Sequence, residues 1–302
     1  MGCVCFGIRG LGQREEVGPD LFGFFRLGSI LTAVHSALKL SRTLLSHSRD
    51  SLPHWAAHAR LERLRGRIED ARKVYQTVLI STRHSPTQGF IGQMWWDWAE
   101  LEWLNGDQDV TLRVVMRSGN VDGTGGMMIL RAKRNLEDIT NAAQGLWKDR
   151  EAWIKLRALI DLLTGSSLPA MLTTFDTQPA EAGKALRESL MVASLVMLYN
   201  HAVILRTPTP PGILRDRLQV AIGMYPSNTI VLGMFLEAEK GHGVWGRVRS
   251  QLGEGVADGG AQEKGVSRRV AEVWVAGWER GRWEVEVERT RNGLVAAVES
   301  DR

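Results

Sequence analysis

Two carboxylates, Glu62 and Glu102, stand at equivalent places 40 residues apart, and recurring carboxylates are what general acid–base chemistry would need. A Glu at a fixed offset in a repeat has a second use, pairing with a cation of the next helix, and Arg72 and Arg113 are placed to receive it. Ser36-Ala37-Leu38-Lys39 has the Ser-x-x-Lys spacing of a hydroxyl beside an amine, a four-residue match that arises readily by chance. His201 follows Asn200 on an apolar stretch, where a lone His reads as a hydrogen-bonded core residue. No Gly-x-x-x-x-Gly-Lys-Ser/Thr loop, Gly-x-Ser-x-Gly elbow or His-Glu-x-x-His pair is present. The only cysteines, Cys3 and Cys5, cannot build a structural zinc site. The expectation is a protein without catalytic residues, cofactor or metal.

Binding chemistry is better represented. The chain has 11 Trp against 3 Tyr, and Trp95, Trp96, Trp98 and Trp103 form a dense aromatic run. Aromatic side chains can stack RNA bases, although Trp at helical spacing reads first as core. Trp96 and Trp103 fall partly off the main stripe and are expected at the surface. Arg60, Arg63, Arg65 and Arg67 form one basic cluster, Arg131, Lys133 and Arg134 a second, and Arg247, Arg249, Arg268 and Arg269 a third. The net charge of +4 is mild for 302 residues, less than a dedicated nucleic-acid binder concentrates. These clusters read as solvated faces or contacts to an acidic partner. Arg60, Arg63 and Arg67, with Trp96 and Trp103, are the candidate surface for a protein partner or RNA, with RNA contact the secondary reading.

The elements that position these residues come from a repeat. With Trp55 and Trp95 as origins, His58 and Trp98 lie three residues on, Ala59 and Ala99 four, Glu62 and Glu102 seven, and Gly66 and Gly106 eleven. Offsets of three, four and seven share one helix face, and a glycine just past the stripe ends a helix at little conformational cost. A second helix follows each glycine, carrying Ala71, Val74, Tyr75, Val78 and Leu79 in one copy and Leu112, Val115 and Met116 in the other. Degenerate units follow. Trp153, Leu156, Ala158, Asp161 and Gly165 form one, slipped by about a residue, and Leu232, Phe235, Leu236, Glu239 and Gly243 another. Ala182–Arg206 and Ile213–Tyr225 read as two long helices, and Trp274, Glu279, Val287, Arg291, Leu294 and Ala297 as a last pair. Ser118–Gly126 reads as a flexible glycine-rich loop.

The fold class expected is all-α, an α-solenoid of antiparallel helix pairs. Residues 1–28 are expected to be a poorly ordered tail, 29–252 the repeats, 253–266 a flexible loop and 267–302 a C-terminal helix pair continuing the solenoid. Met1-Gly2-Cys3 resembles a lipidated start, but Phe6 occupies the place of the usual Ser or Thr, so a tail rather than a membrane anchor is expected. No apolar run reaches the roughly 18 residues needed to span a bilayer. The cysteine usage suits a reducing compartment, cytosol or nucleus.

The pattern Trp55, His58, Ala59, Glu62, Gly66, Ala71, Arg72, Val74, Tyr75 resembles the half-a-TPR (HAT) repeat, over at least Leu52–Arg117. HAT repeats occur in proteins of RNA processing. Within that group the chain resembles the nuclear-RNAi-defective (NRDE-type) protein family in its fungal form, from about Ala37 to Val298. The resemblance is carried by Met94-Trp95-Trp96-Asp97-Trp98-Ala99-Glu100-Leu101-Glu102-Trp103, by Leu198-Tyr199-Asn200-His201-Ala202 with Leu214-Arg215 and Tyr225-Pro226-Ser227-Asn228, and by Val287–Val298. It implies a nuclear scaffold in small-RNA-guided silencing, RNA decay and splicing control, associated with the nuclear exosome's RNA helicase. The helicase-binding segment of such proteins precedes the repeats, and the chain is expected to lack it. Two alternatives remain open, a HAT scaffold of the spliceosome or pre-ribosome and a direct RNA-binding module.

Overall fold

The computed structural model describes residues 21–81, 89–143, 147–165, 168–177, 183–225 and 228–239. Among these every regular element is helical. The α-helices are α1 (Leu21–His47), α2 (Leu52–Leu64), α3 (Ile68–Ser81), α4 (Ile91–Asn105), α5 (Gln108–Ser118), α6 (Gly126–Ala142), α7 (Trp147–Leu163), α8 (Leu168–Asp176), α9 (Lys184–Tyr199), α10 (Pro211–Met224) and α11 (Thr229–Glu239). The expected loop at 253–266 and helix pair at 267–302, with Gly243, Trp274 and the other residues assigned there, lie outside the described residues.

The chain divides into two compact units, Met1–His84 and Ser85–Arg302. The division falls between the two best repeat copies, which the sequence pattern ran together as one region. The first unit contains α1, α2 and α3, with α2 packed on both of the others. Helix α1 begins at Leu21, so residues 21–28, expected in the tail, are helical. Gly23 and Gly28 hide the period in this stretch, but isolated glycines weaken a helix by only about 1 kcal/mol each and do not break it. In the second unit α4 packs on α5 and α7, α7 also on α6, α8 and α9, and α9 on α10 and α11.

The helix pairs of the two repeat copies end in the same way. Gly66 (φ 82°) and Gly106 (φ 89°) are left-handed. The amide of Gly66 reaches Arg63 O at 3.0 Å and that of Arg67 reaches Glu62 O at 3.0 Å; Gly106 reaches Trp103 O at 3.1 Å and Asp107 reaches Glu102 O at 3.3 Å. This paired closure satisfies the last carbonyls of each helix, and it needs the left-handed conformation that the recurring Gly supplies. Asp107 then opens α5, its side chain accepting from the Val110 amide at 2.9 Å.

The segment expected to be a flexible loop joins α5 to α6 and is anchored at its start. Val121 is buried and its amide reaches Met116 O at 3.1 Å, while Asn135 Nδ2 donates to Gly119 O at 2.8 Å. Ala182–Arg206, read as one long helix, is α-helical only to Tyr199 and then widens into a π-turn over Asn200–Ile204, closed by Leu205 N to Asn200 O at 2.8 Å.

The tightest approach in the second unit is α4 on α7. A Cβ built on Gly92 would lie 2.8 Å from Trp153 Nε1 and 3.0 Å from the Asp149 carbonyl oxygen. The carbonyl belongs to a helix backbone and cannot swing aside. Gly92→Ala is therefore expected to lose about 1–3 kcal/mol through overpacking, more than the roughly 1 kcal/mol that alanine gains from helix propensity. The urea midpoint checks this, and an unchanged or raised midpoint would contradict the contact.

Candidate functional site

The polar side chains of the repeat form the same local device in both copies. In α2 the ring and the carboxylate one turn apart are His58 and Glu62, both buried. His58 Nε2 lies 3.9 Å from Glu62 Oε1, and its Nδ1 lies 3.1 Å from Ser41 Oγ on α1. Arg42, also on α1, donates from Nη2 to the same Glu62 Oε1 at 3.1 Å. Glu62 Oε2 is buried with no donor against it among the described residues, a costly state for a carboxylate oxygen. The expected partner Arg72 sits instead on Glu69 one turn before it, so the preceding helix and not the following one supplies Glu62's cation.

In α4 the equivalent pair is Trp98 and Glu102. Trp98 Nε1 donates to Glu102 Oε1 at 3.0 Å, and Glu102 is fully buried. The Trp95 and Trp98 rings stack with centroids 5.7 Å apart and planes 15° from parallel. Arg113, the other expected partner, is exposed. The recurring carboxylate thus accepts a ring N–H or faces a ring nitrogen one turn back on its own helix. Both carboxylates are enclosed, at 2% and 0% exposure, away from the solvent that proton transfer to a substrate requires.

Burial holds the His58 imidazole below its usual range and the Arg42 guanidinium adds to that, with Glu62 opposing. A base with a lowered folded pKa binds protons less readily folded than unfolded. Stability is then lost as pH falls below the unfolded value near 6.5 and levels off below the folded one. The wild-type urea midpoint should fall more steeply between pH 7.5 and 5.5 than that of His58→Gln. The other histidines cancel in the difference, and parallel pH profiles would contradict this linkage.

The remaining candidates divide sharply. Ala59, Ala71, Tyr75 and Ala99 are fully enclosed, and Trp95 and Trp98 are buried. Trp55 is only half-buried, its indole N–H directed to Arg49 O at 2.7 Å in the α1–α2 turn. Trp96 and Trp103, expected at the surface, are buried at 6% and 2% exposure. Helix α4 is covered on one side by α5 and on another by α7, so its off-stripe positions also face protein. Lys155 of α7 lies over the Trp96 ring, 4.9 Å from its centroid, held by Glu151 at 2.9 Å. Neither Trp offers a face for stacking a base. Arg60 and Arg67 are exposed and Arg63 half-buried; Arg67 reaches Asp70 at 3.7 Å. Ser36 and Lys39 are both exposed on α1. His201 lies half-buried in the π-turn and not in a core, burial pushing its imidazole below the usual range.

Sequence reasoning missed the groups that join elements distant along the chain. Asp149 at the start of α7 accepts from the Phe90 amide at 2.6 Å and the Gln93 amide at 3.3 Å, capping α4 from another helix. Phe90 is held left-handed there at φ 75°, a conformation a bulky residue adopts only when its surroundings require it. Burial raises the Asp149 carboxyl, with those same amides opposing. Lys133 pairs with Asp161, which accepts from Thr174 at 3.2 Å, and Arg217 clamps Asp176 at 2.8 and 3.1 Å. None of these has a local signal, because partners 13 to 59 residues apart share no motif.

Among the described residues no group of His, Cys, Asp and Glu could hold a metal ion, and no helix is long and apolar enough to cross a membrane. No protein-family model matches the chain, and comparison with curated proteins finds no match.

Proposed function

We propose that this chain is a non-enzymatic helical-repeat scaffold, built as an α-solenoid of helix pairs, that binds partner proteins in nuclear RNA metabolism. The roles in view are small-RNA-guided silencing, RNA decay and splicing control. The observation that carries this reading is the recurrence, in α2 and α4, of one device: a ring residue, a buried Glu one turn on, and a left-handed glycine whose turn returns its amides to the Glu helix. Repeated helix pairs stack into extended surfaces that bind protein segments. The polar groups of this device are spent within the repeats, which favours a binding surface over a catalytic centre. The nuclear setting rests on the resemblance of the repeat pattern to HAT proteins of the nuclear-RNAi-defective type. Exosome and silencing proteins are the partners proposed for the repeats; the same resemblance puts helicase binding in a segment ahead of them.

Protein binding and direct RNA binding separate in a titration. A fluorescein-labelled 20-nucleotide oligo(U) is added to the full chain at 50 and 200 mM salt. The expected result is no saturable binding at the higher salt. Tight binding that falls steeply with salt and vanishes on reversing Arg60, Arg63 and Arg67 to Glu would overturn the scaffold reading in favour of an RNA-binding module.

A further inference from the structure

The two most exposed large hydrophobic side chains among the described residues lie on one helix, Met127 at 79% and Leu130 at 64% exposure. Both are on α6, with Met128 beside them at 38%. Spacing of three, four and seven from Met127 puts Leu130, Arg131 and Arg134 on the same face. Both arginines are exposed, and neither makes an ion pair among the described residues. Their neighbours in sequence are already engaged. Lys133 turns inward to Asp161, and Arg157 of α7 pairs with Glu137 at 3.4 Å. The opposite face of α6, Ala132, Leu136 and Thr140, is buried and supplies the packing on α7. The side chains of Met127, Leu130, Arg131 and Arg134 therefore lie apart from the packing of α6 on α7.

We propose that this stripe of α6 is a docking face for an acidic protein segment with an apolar anchor, the anchor lying over Met127 and Leu130 and its carboxylates meeting Arg131 and Arg134. The inference rests on the protein-binding reading above and names the partner's chemistry. Methionine and arginine are enriched at protein interfaces, and the pliable thioether accommodates varied anchors. The exposed guanidiniums supply charge complementarity, and each can bind a carboxylate with two parallel hydrogen bonds. RNA fits the face less well. Its centre is aliphatic and not aromatic, so it offers no ring on which a base could stack.

The test uses the full chain and three labelled probes: a synthetic helical peptide with Leu on one face flanked by Glu, the same peptide with Lys in place of Glu, and a 20-nucleotide oligo(U). The acidic peptide should bind saturably, and the basic one should not. Arg131→Glu/Arg134→Glu and Met127→Ser/Leu130→Ser should each weaken the acidic peptide about tenfold or more while the urea midpoint stays unchanged. Failure of the acidic peptide to bind, equal binding of both peptides, or binding that survives both double substitutions would overturn the proposal. So would oligo(U) binding lost on charge reversal, which would give the face to nucleic acid. If the charge-reversed chain fails to lose the acidic peptide yet recovers the same nuclear proteins as wild type, the scaffold reading stands and the assignment of this face falls.

Discussion

Trp153→Ala should destabilise the second unit by about 3–5 kcal/mol, the range for truncating a large aromatic that is fully enclosed. Trp153 is 1% exposed and is the largest fully buried side chain among the described residues. It fills the space that Gly92 leaves open, so α4 and α7 both lose their closest contact when it is removed. Its indole N–H is buried without an acceptor among the described residues. Trp153→Phe, which removes that unsatisfied group along with some volume, should therefore cost less than the alanine variant. Trp55→Ala provides the contrast. This Trp begins the clearest sequence repeat, yet it is half-buried and held by one hydrogen bond to Arg49 O. Its loss should cost about 1–2 kcal/mol. Urea unfolding ranks the variants, and a Trp55→Ala loss equal to that of Trp153→Ala would contradict the packing described.

Trp103→Ala should also cost about 3–5 kcal/mol, because Trp103 is 2% exposed inside the second unit. Trp96→Ala belongs with it, losing its burial together with the cation–π contact to Lys155. If these side chains were surface platforms, their removal would change stability by no more than about 0.5 kcal/mol. Chemical unfolding of the two variants separates the outcomes, and a near-wild-type midpoint in either would restore that Trp as a surface candidate.

These two cases show what was legible in the sequence. The helix–glycine–helix pattern at Trp55–Gly66 and Trp95–Gly106 could be read because its causes are local: a 3.6-residue period and a glycine that must be left-handed. The identity of the second covering helix could not. A helix packed on one side shows a stripe, whereas α4, enclosed by α5 and α7, is apolar nearly all round and shows no free face. Lying off the Trp95–Trp98 stripe points Trp96 and Trp103 to the surface only where a single helix covers α4, and here two do. The partner of Glu62 also lies on a helix that the repeat does not include. Arg72 follows it in the repeat, but Arg42 precedes it on α1, a helix whose glycines obscure its period. The cap that Asp149 provides to α4, reaching the Phe90 amide 59 residues back in sequence, had no signal to read.

The most direct measurement of the central claim is co-purification of the tagged full chain from nuclease-treated nuclear extract, with quantitative mass spectrometry of what accompanies it. A protein-binding scaffold of nuclear RNA silencing and decay should retain, after nuclease treatment, an RNA helicase or exosome and silencing factors. Spliceosomal or pre-ribosomal proteins in their place would keep the scaffold and remove the silencing role. Recovery that disappears with the RNA, or no nuclear protein above background, would contradict the claim that the chain works by binding proteins.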